Sequence, residues 1–259
     1  MSGTSQEKFT RETITWIHPW SDHLFSFRTT RPASFRFTAG QFARLGVEKP
    51  DGSIAWRAYS MVSGPYDEFL EFYSIVVPGG EFTSELSRLK VGDTLLIDKQ
   101  NHGFLTLSRF QGGNDLWLLS TGTGLAPFLS ILQDPQAWES FEHIVLAHSV
   151  RFLHELAYRD TIESFHRHGV FKEHAHKLTY IPVVTRETAA DMLGQRLTDL
   201  ISSGELESKA KLALDLDRSR IMLCGNPEMV DDTRQALKAK GFRTARQSSP
   251  GQIAVENYW

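Results

Sequence analysis

The pattern of the chain changes at one place, and that change limits the folds open to it. Up to about residue 110, short runs of β-branched and aromatic residues alternate with Gly, Pro and Asp, as in residues 35–47 and 69–77. Such runs make half-buried strands, and the punctuation makes turns. Turn signals recur at Lys49-Pro50-Asp51-Gly52, Ser63-Gly64-Pro65, Pro78-Gly79-Gly80 and Val91-Gly92-Asp93, the spacing of a barrel or sandwich. Only residues 83–89 have helical spacing there. From Gln111-Gly112-Gly113-Asn114 onward the chain alternates between strand-like and helix-like segments. Strands are expected at 116–119, 144–147, 178–184 and 221–224, and helices at 126–132, 155–168 and 228–240. Strands separated by helices form a parallel sheet, because parallel neighbours need a crossover between them. The sequence therefore predicts two domains: an antiparallel β-barrel over residues 1–110 and a parallel-sheet α/β domain over residues 111–259.

Composition excludes several kinds of chemistry. The 259 residues carry a formal net charge of -3 with no long basic tract, which argues against nucleic acid as the main partner. A single cysteine, Cys224, can form no intrachain disulfide and cannot by itself hold an iron-sulfur cluster or a cysteine-rich zinc site. Redox chemistry in this chain would thus need a bound organic cofactor. The first residues are polar, and no run approaches the ~18 apolar residues of a membrane span. A cytoplasmic protein with no membrane partner is expected. The pairs His166/His168 and His174/His176 lack a third ligand at suitable spacing, so they read as an exposed helix end and loop, and no metal is expected.

The glycine loop Thr121-Gly122-Thr123-Gly124-Leu125-Ala126-Pro127 follows an apolar strand and opens a helix, so its amides suit a pyrophosphate. Pro127 replaces the usual third glycine, and proline fits a first helical turn because its missing N–H would be unpaired there. Where the ordinary dinucleotide fold places an acidic residue on the ribose, the second strand here ends in Arg151. Thr185 and Arg186 follow another strand, offering a hydroxyl and a planar fork of donors. These cations favour NADP over NAD.

Arg57-Ala58-Tyr59-Ser60 offers a phosphate-binding cation, an aromatic face and a hydroxyl on one strand. Residues 71–84 then pass from a strand through a glycine turn to a short helix. Taken with Phe37-Thr38-Ala39-Gly40-Gln41-Phe42 before them and Cys224-Gly225-Asn226-Pro227 after the glycine loop, these motifs resemble the ferredoxin-NADP reductase family over nearly the whole chain. The ending Val255-Glu256-Asn257-Tyr258-Trp259 is similar to that of its bacterial ferredoxin (flavodoxin) reductases.

The resemblance implies an FAD contacted by Arg57 at the pyrophosphate, by Tyr59 at the isoalloxazine and by Ser60 beside N5. Ala58, Ser74, Ile75, Val76, Glu81, Phe82, Thr83 and Thr123 complete that set. It implies NADP at Gly122, Gly124, Arg151, Thr185, Arg186, Arg196 and Cys224, with the thiol near the nicotinamide. Tyr258 is implied to cover the flavin ring and Trp259 a folded adenine, so that the tail returns to the flavin and gates the nicotinamide. The implied catalytic group is Ser60, Tyr258, Cys224 and Glu256, and the implied activity is hydride transfer between NADP(H) and flavin N5 with single electrons exchanged with ferredoxin or flavodoxin, by a monomer. A flavin reductase, an oxygenase reductase component and a flavin sensor without turnover are the alternatives. Arg28, Arg31, Arg36 and Arg44 form a run free of carboxylates, either a docking surface for an acidic carrier or barrel residues balanced by neighbours in space.

Overall fold

The computed structural model describes residues 7–167, 169, 171–246 and 249–257. Six strands come first: β1 (Phe9–Pro19), β2 (Leu24–Thr30), β3 (Phe42–Glu48), β4 (Ile54–Ser60), β5 (Phe69–Ile75) and β6 (Thr94–His102), with helix α1 (Glu81–Leu86) between the last two. They pair antiparallel in the order β4-β3-β6-β1-β2-β5. A bridge between Met61 and Phe72 joins the two ends of that order and closes the sheet on itself. Closure follows from the period-two pattern, since alternate residues such as Ala43, Leu45 and Val47 of β3 all face one core with Ile14, Phe27, Leu70, Leu95 and Ile97.

Two local expectations shift. Residues 35–41 are not strand: Gln41 folds back to accept the Thr38 N–H through its side chain, although Phe35 and Phe37 still fill the barrel. Helix α1 begins at Glu81, two residues before the helical spacing suggested, and stops at Leu86.

The second half contains β7 (Asp115–Thr121), α2 (Ala126–Leu132), α3 (Pro135–Ser140), β8 (His143–Val150), α4 (Arg159–Ser164), β9 (Leu178–Val184), α5 (Leu197–Ser203), α6 (Glu205–Ala210), β10 (Ser219–Gly225), α7 (Pro227–Ala239) and β11 (Ile253–Asn257). All five strands are parallel, in the order β11-β10-β7-β8-β9. Alternation again decides the layers. Leu116 and Leu118 of β7 pack with Phe128, Trp138 and Ile162 of α2, α3 and α4, while Trp117 and Leu119 pack with Leu200, Leu206, Val230 and Leu237 of α5, α6 and α7. The helix expected over 155–168 is replaced by a tight turn over Leu153–Glu155 and the short α4, because Tyr158 between them takes a left-handed conformation with φ 62°. Strand β11 carried no strand signal; its pairing partner β10 lies a whole helix away in sequence.

The halves share one apolar core, in which Leu24, Ala39, Val62, Tyr73 and Leu105 join Leu125, Phe128, Leu129 and Ile131. Directional bonds cross the same boundary: Ser130 Oγ donates to the Ser63 carbonyl at 2.8 Å and Gln133 Nε2 to the Val62 carbonyl at 2.6 Å. Among the described residues no helix is long and apolar enough to cross a membrane.

Candidate functional site

Strand β7 lies between β8 and β10, whose following helices cover opposite faces, so a crevice opens at its C-terminal end. The glycine loop occupies that crevice as a tight turn, Gly122–Leu125, running into α2 with Pro127 in its first turn. The two glycine segments interlock. A Cβ on Gly124 would sit 2.3 Å from the Cys224 carbonyl oxygen, and one on Gly225 would sit 2.2 Å from Thr121 Oγ1. Thr121 Oγ1 in turn accepts the Asn226 N–H at 2.9 Å, and Asn226 Oδ1 caps α7 by accepting from Glu228 and Met229. Beneath the loop, His148 of β8 is fully buried with its Nε2 3.1 Å from the Gly122 carbonyl. Burial pushes this imidazole down to about 4, so it stays neutral at pH 7 with Nε2–H as the donor.

A cavity of about 680 Å³ opens over the loop. Gly122 and Thr123 border it, as do Arg151 beyond β8, Thr185 and Arg186 beyond β9, and Arg196 at the start of α5. The strand ends hold these groups together: Thr185 donates through both N–H and Oγ1 to the Val150 carbonyl, and the Arg186 N–H donates to the Arg151 carbonyl. Three guanidinium groups around one cavity suit a phosphate dianion, and the space where a Gly122 Cβ would stand is open. The Thr185 hydroxyl has already used its proton and can only accept. Gly124 and Cys224 are fully enclosed and form the junction between the two loops, with Cys224 packed in the core shared by the halves.

Leu24 and Ile75 of the barrel border the same cavity, so it spans the two halves. On the barrel side Tyr59 is buried, its hydroxyl 2.8 Å from Ser74 Oγ and its ring 5.4 Å from that of Phe82. Burial pushes this phenol up to about 12. Arg57 and Ala58 are exposed on the same strand. At its end Ser60 Oγ donates to Glu256 Oε1 at 3.0 Å, joining β4 to β11. Burial outweighs that hydrogen bond and pushes the Glu256 carboxyl up to about 7. In the glycine turn, Val76 N–H is committed to the His23 carbonyl, and Thr83 Oγ1 accepts the Val77 N–H. Glu81 is exposed and paired with Lys49, while Phe82 is buried beneath Tyr59. Tyr258 and Trp259 lie outside the described residues.

Within the four-arginine run two cations face carboxylates and two donate to backbone carbonyls. Arg28 pairs with Glu71 at 2.7 Å between the rings of Trp16 and Phe69, Arg31 donates to the carbonyls of Phe35, Pro65 and Asp67, Arg36 donates to Ala33, and Arg44 lies 3.9 Å from Asp98. Asp115, Glu142 and His143 bring three potential metal-ligand atoms together, but Arg218 already bridges both carboxylates, with Nε 3.1 Å from Asp115 and Nη2 2.6 Å from Glu142. Of the described His pairs, His176 Nδ1 contacts the Glu173 carbonyl in a turn.

Known proteins share this arrangement. Residues 17–100 match the oxidoreductase FAD-binding domain family and residues 118–235 the oxidoreductase NAD-binding domain family. Ferredoxin--NADP reductase A of Sorangium cellulosum (strain So ce56) is 43% identical over 255 residues, covering 96% of this chain and 89% of that protein. Ferredoxin--NADP reductase of Pseudomonas aeruginosa is 42% identical, covering 95% of each. The chain belongs to the ferredoxin-NADP reductase family. The crystal structure of a member from Neisseria gonorrhoeae with bound FAD and NADP superposes with a TM-score of 0.91 at 39% identity, covering 98% of this chain and 100% of that one. The two matched domain families fall on the two sheets, the first within the barrel and the second from within β7 into α7.

Family motifs found the glycine loop and the Arg-x-Tyr-Ser strand. They missed His148, which follows the apolar run Ile144 to Ala147 and whose role appears only when β8 lies under Gly122. They also missed Tyr158, which carries no local signal.

Proposed function

We propose that the protein is an FAD-dependent oxidoreductase that passes electrons between NADP(H) and a ferredoxin or flavodoxin. The observation that carries this reading is the shared cavity to which the barrel contributes Leu24 and Ile75 and the parallel sheet contributes the glycine loop and three arginines. Two cofactors that must react with each other need adjoining sites held at fixed distance, and one rigid interface supplies them. We divide the chain accordingly into an FAD domain, residues 1–110, and an NADP domain, residues 111–259, whose tail returns to the flavin side through β11. Bound FAD would supply the exchange between two-electron hydride chemistry with the nicotinamide and one-electron chemistry with a carrier, and the residues of the two halves would hold the partners in place for it.

The residues divide the remaining work. Arg57 binds the FAD pyrophosphate, and Tyr59, braced by Phe82, gives the isoalloxazine a flat apolar wall. Ala58, Ser74, Ile75, Val76, Glu81 and Thr83 shape the strand and turn beside it, and Thr123 adds a hydroxyl from the loop. Gly122 and Gly124 keep that loop close enough for its amides to reach phosphates. Arg151, Arg186 and Arg196 select the 2′-phosphate of NADP by charge, and Thr185 ties together the strand ends that carry Arg151 and Arg186. Ser60 at the end of β4 orients the Glu256 carboxyl, which borders a separate pocket with Phe42, Arg44 and His102, and Cys224 fixes the floor below the nicotinamide. Tyr258 and Trp259 cover the flavin in this reading. Flavodoxin enters beside ferredoxin because relatives in Escherichia coli and Rhodobacter capsulatus bear both names. A cytoplasmic monomer is part of the same proposal.

The test is direct. The purified protein should be yellow, be bleached rapidly by NADPH and more slowly by NADH, and then reduce the host's ferredoxin or flavodoxin. A colourless protein that FAD cannot reconstitute would overturn the reading.

A further inference from the structure

Tyr158 stands where a helix was expected, at φ 62° and ψ 13°. A bulky aromatic is disfavoured in that conformation, so its side chain must be held by something outside the local chain. It is. The ring lies against Trp20 at 4.8 Å and edge-on to Tyr73 at 5.4 Å, both from the barrel half. Its hydroxyl donates to Glu71 Oε1 at 2.7 Å and lies 2.5 Å from Ser26 Oγ. Donor accounting fixes the direction of the whole chain. Trp20 Nε1 can only donate, and does so to Ser26 Oγ at 2.7 Å; Ser26 therefore donates to Tyr158, which donates to Glu71, whose other oxygen takes Arg28 Nε at 2.7 Å. No member is left without a partner, and the terminal acceptor is itself paired with the Arg28 guanidinium, which makes such bonds strong and directional.

We propose that Tyr158 is a positioning residue that fixes the orientation of the NADP half against the FAD half. The inference rests on the functional reading above. Most of the boundary is apolar, with Leu24, Val62 and Leu105 against Leu125 and Phe128, and apolar faces resist separation more than they resist sliding. Other directional bonds across it come from α2, where Ser130 and Gln133 reach Ser63 and Val62, and from β11, where Glu256 accepts from Ser60 at the far side of the barrel. Ser63 and Val62 are themselves tied to Glu71, whose N–H donates to Ser63 Oγ and whose carbonyl accepts the Val62 N–H. Tyr158 thus brings a second element of the NADP half to the barrel residue on which the α2 bonds converge, fixing the attachment at the cavity side, away from the Ser60–Glu256 bond. Its location gives the attachment its consequence. Tyr158 follows Arg151 and Glu155, which border the cavity, by seven and three residues, and Glu71 precedes Ser74 and Ile75 on β5.

The test uses the FAD-loaded protein and the substitution Tyr158→Phe, which keeps the ring and removes only the hydroxyl. The rate of flavin bleaching by NADPH in stopped flow should fall about tenfold, since small misplacements of reacting atoms cost rate steeply. The NADP+ dissociation constant should change by less than about twofold, because no cavity group is altered. Reoxidation of the photoreduced flavin by ferricyanide, which needs no alignment of nicotinamide, should be unchanged. Glu71→Gln retains a carbonyl oxygen for the hydroxyl and should keep most of the bleaching rate, whereas Glu71→Leu should behave like Tyr158→Phe. Wild-type bleaching rates in Tyr158→Phe, with only a lowered melting temperature, would overturn the proposal and leave the functional reading intact. A wild-type protein that NADPH does not bleach would overturn both. If Tyr158→Phe fails to retain FAD, Ser26→Ala takes its place, and an unchanged rate there would overturn the proposal.

Discussion

Replacing Glu256 with Gln should change the way stability depends on pH, and by a calculable amount. The carboxyl is pushed up from 4.5 to about 7 by desolvation in its half-buried site, with one hydrogen bond from Ser60 that offsets part of the cost of charging it. At ~1.4 kcal/mol per pH unit, the folded protein prefers the neutral carboxyl by about 3 kcal/mol relative to the unfolded chain. The folded state therefore holds a proton that the unfolded state has released. Stability from this group is present below pH 4.5, falls as pH rises, and is lost above about 7. Gln carries no such penalty and still accepts from Ser60. Urea denaturation of both proteins at matched flavin content should give a difference in favour of Gln that is flat below pH 4.5, grows to ~3 kcal/mol by pH 7 and then levels off. The carboxyl stretching band lost in the variant's infrared difference spectrum should titrate at the same midpoint. A stability difference that is constant from pH 4 to 8, or a band titrating near 4.5, would refute the reasoning.

Arg186→Ala should raise the Michaelis constant for NADPH by roughly 10- to 100-fold, the worth of a charge-assisted phosphate contact, and leave that for NADH nearly unchanged; equal effects on both would exclude a 2′-phosphate role. Removing Tyr258 and Trp259 should tighten NADP+ binding if the tail gates the nicotinamide, and a titration showing weaker or unaltered binding would dismiss the gate. Gly124→Ala places a Cβ 2.3 Å from the Cys224 carbonyl oxygen, so NADP+ affinity should collapse; calorimetry giving wild-type affinity would mean that the two loops can part without cost.

Local signals carried the second half further than the first. Strand β9 runs over Leu178–Val184, as its apolar run indicates, and α2 over Ala126–Leu132, because both have their punctuation within a few residues. Residues 35–41 misled because Phe35 and Phe37 are buried like strand residues while their backbone turns. Tyr158 misled in the opposite sense, having helical neighbours but partners in another domain. The arginine run was ambiguous for the same reason: Glu71 lies 43 residues from Arg28 in sequence and 2.7 Å away in space. Within the site, the loop and the Arg-x-Tyr-Ser strand were legible as motifs. What motifs do not contain is the meeting of Ser60 with Glu256, or of His148 with Gly122, since each depends on which strands become neighbours.

That Ser60 and Glu256 are 196 residues apart also sets an order of events during synthesis. The barrel strands leave the ribosome first and can close before β11 exists, because none of their pairings involves it. The parallel sheet must then grow outward from β7, and β10 acquires its outer neighbour only when residues 253–257 emerge. Long-range parallel pairing is slow, so the serine hydroxyl waits in water while the rest of the molecule assembles. A nascent chain stalled before residue 253 should therefore have a closed barrel but a Ser60 without its carboxyl, which makes the acid–hydroxyl pair a marker for completion of the parallel sheet.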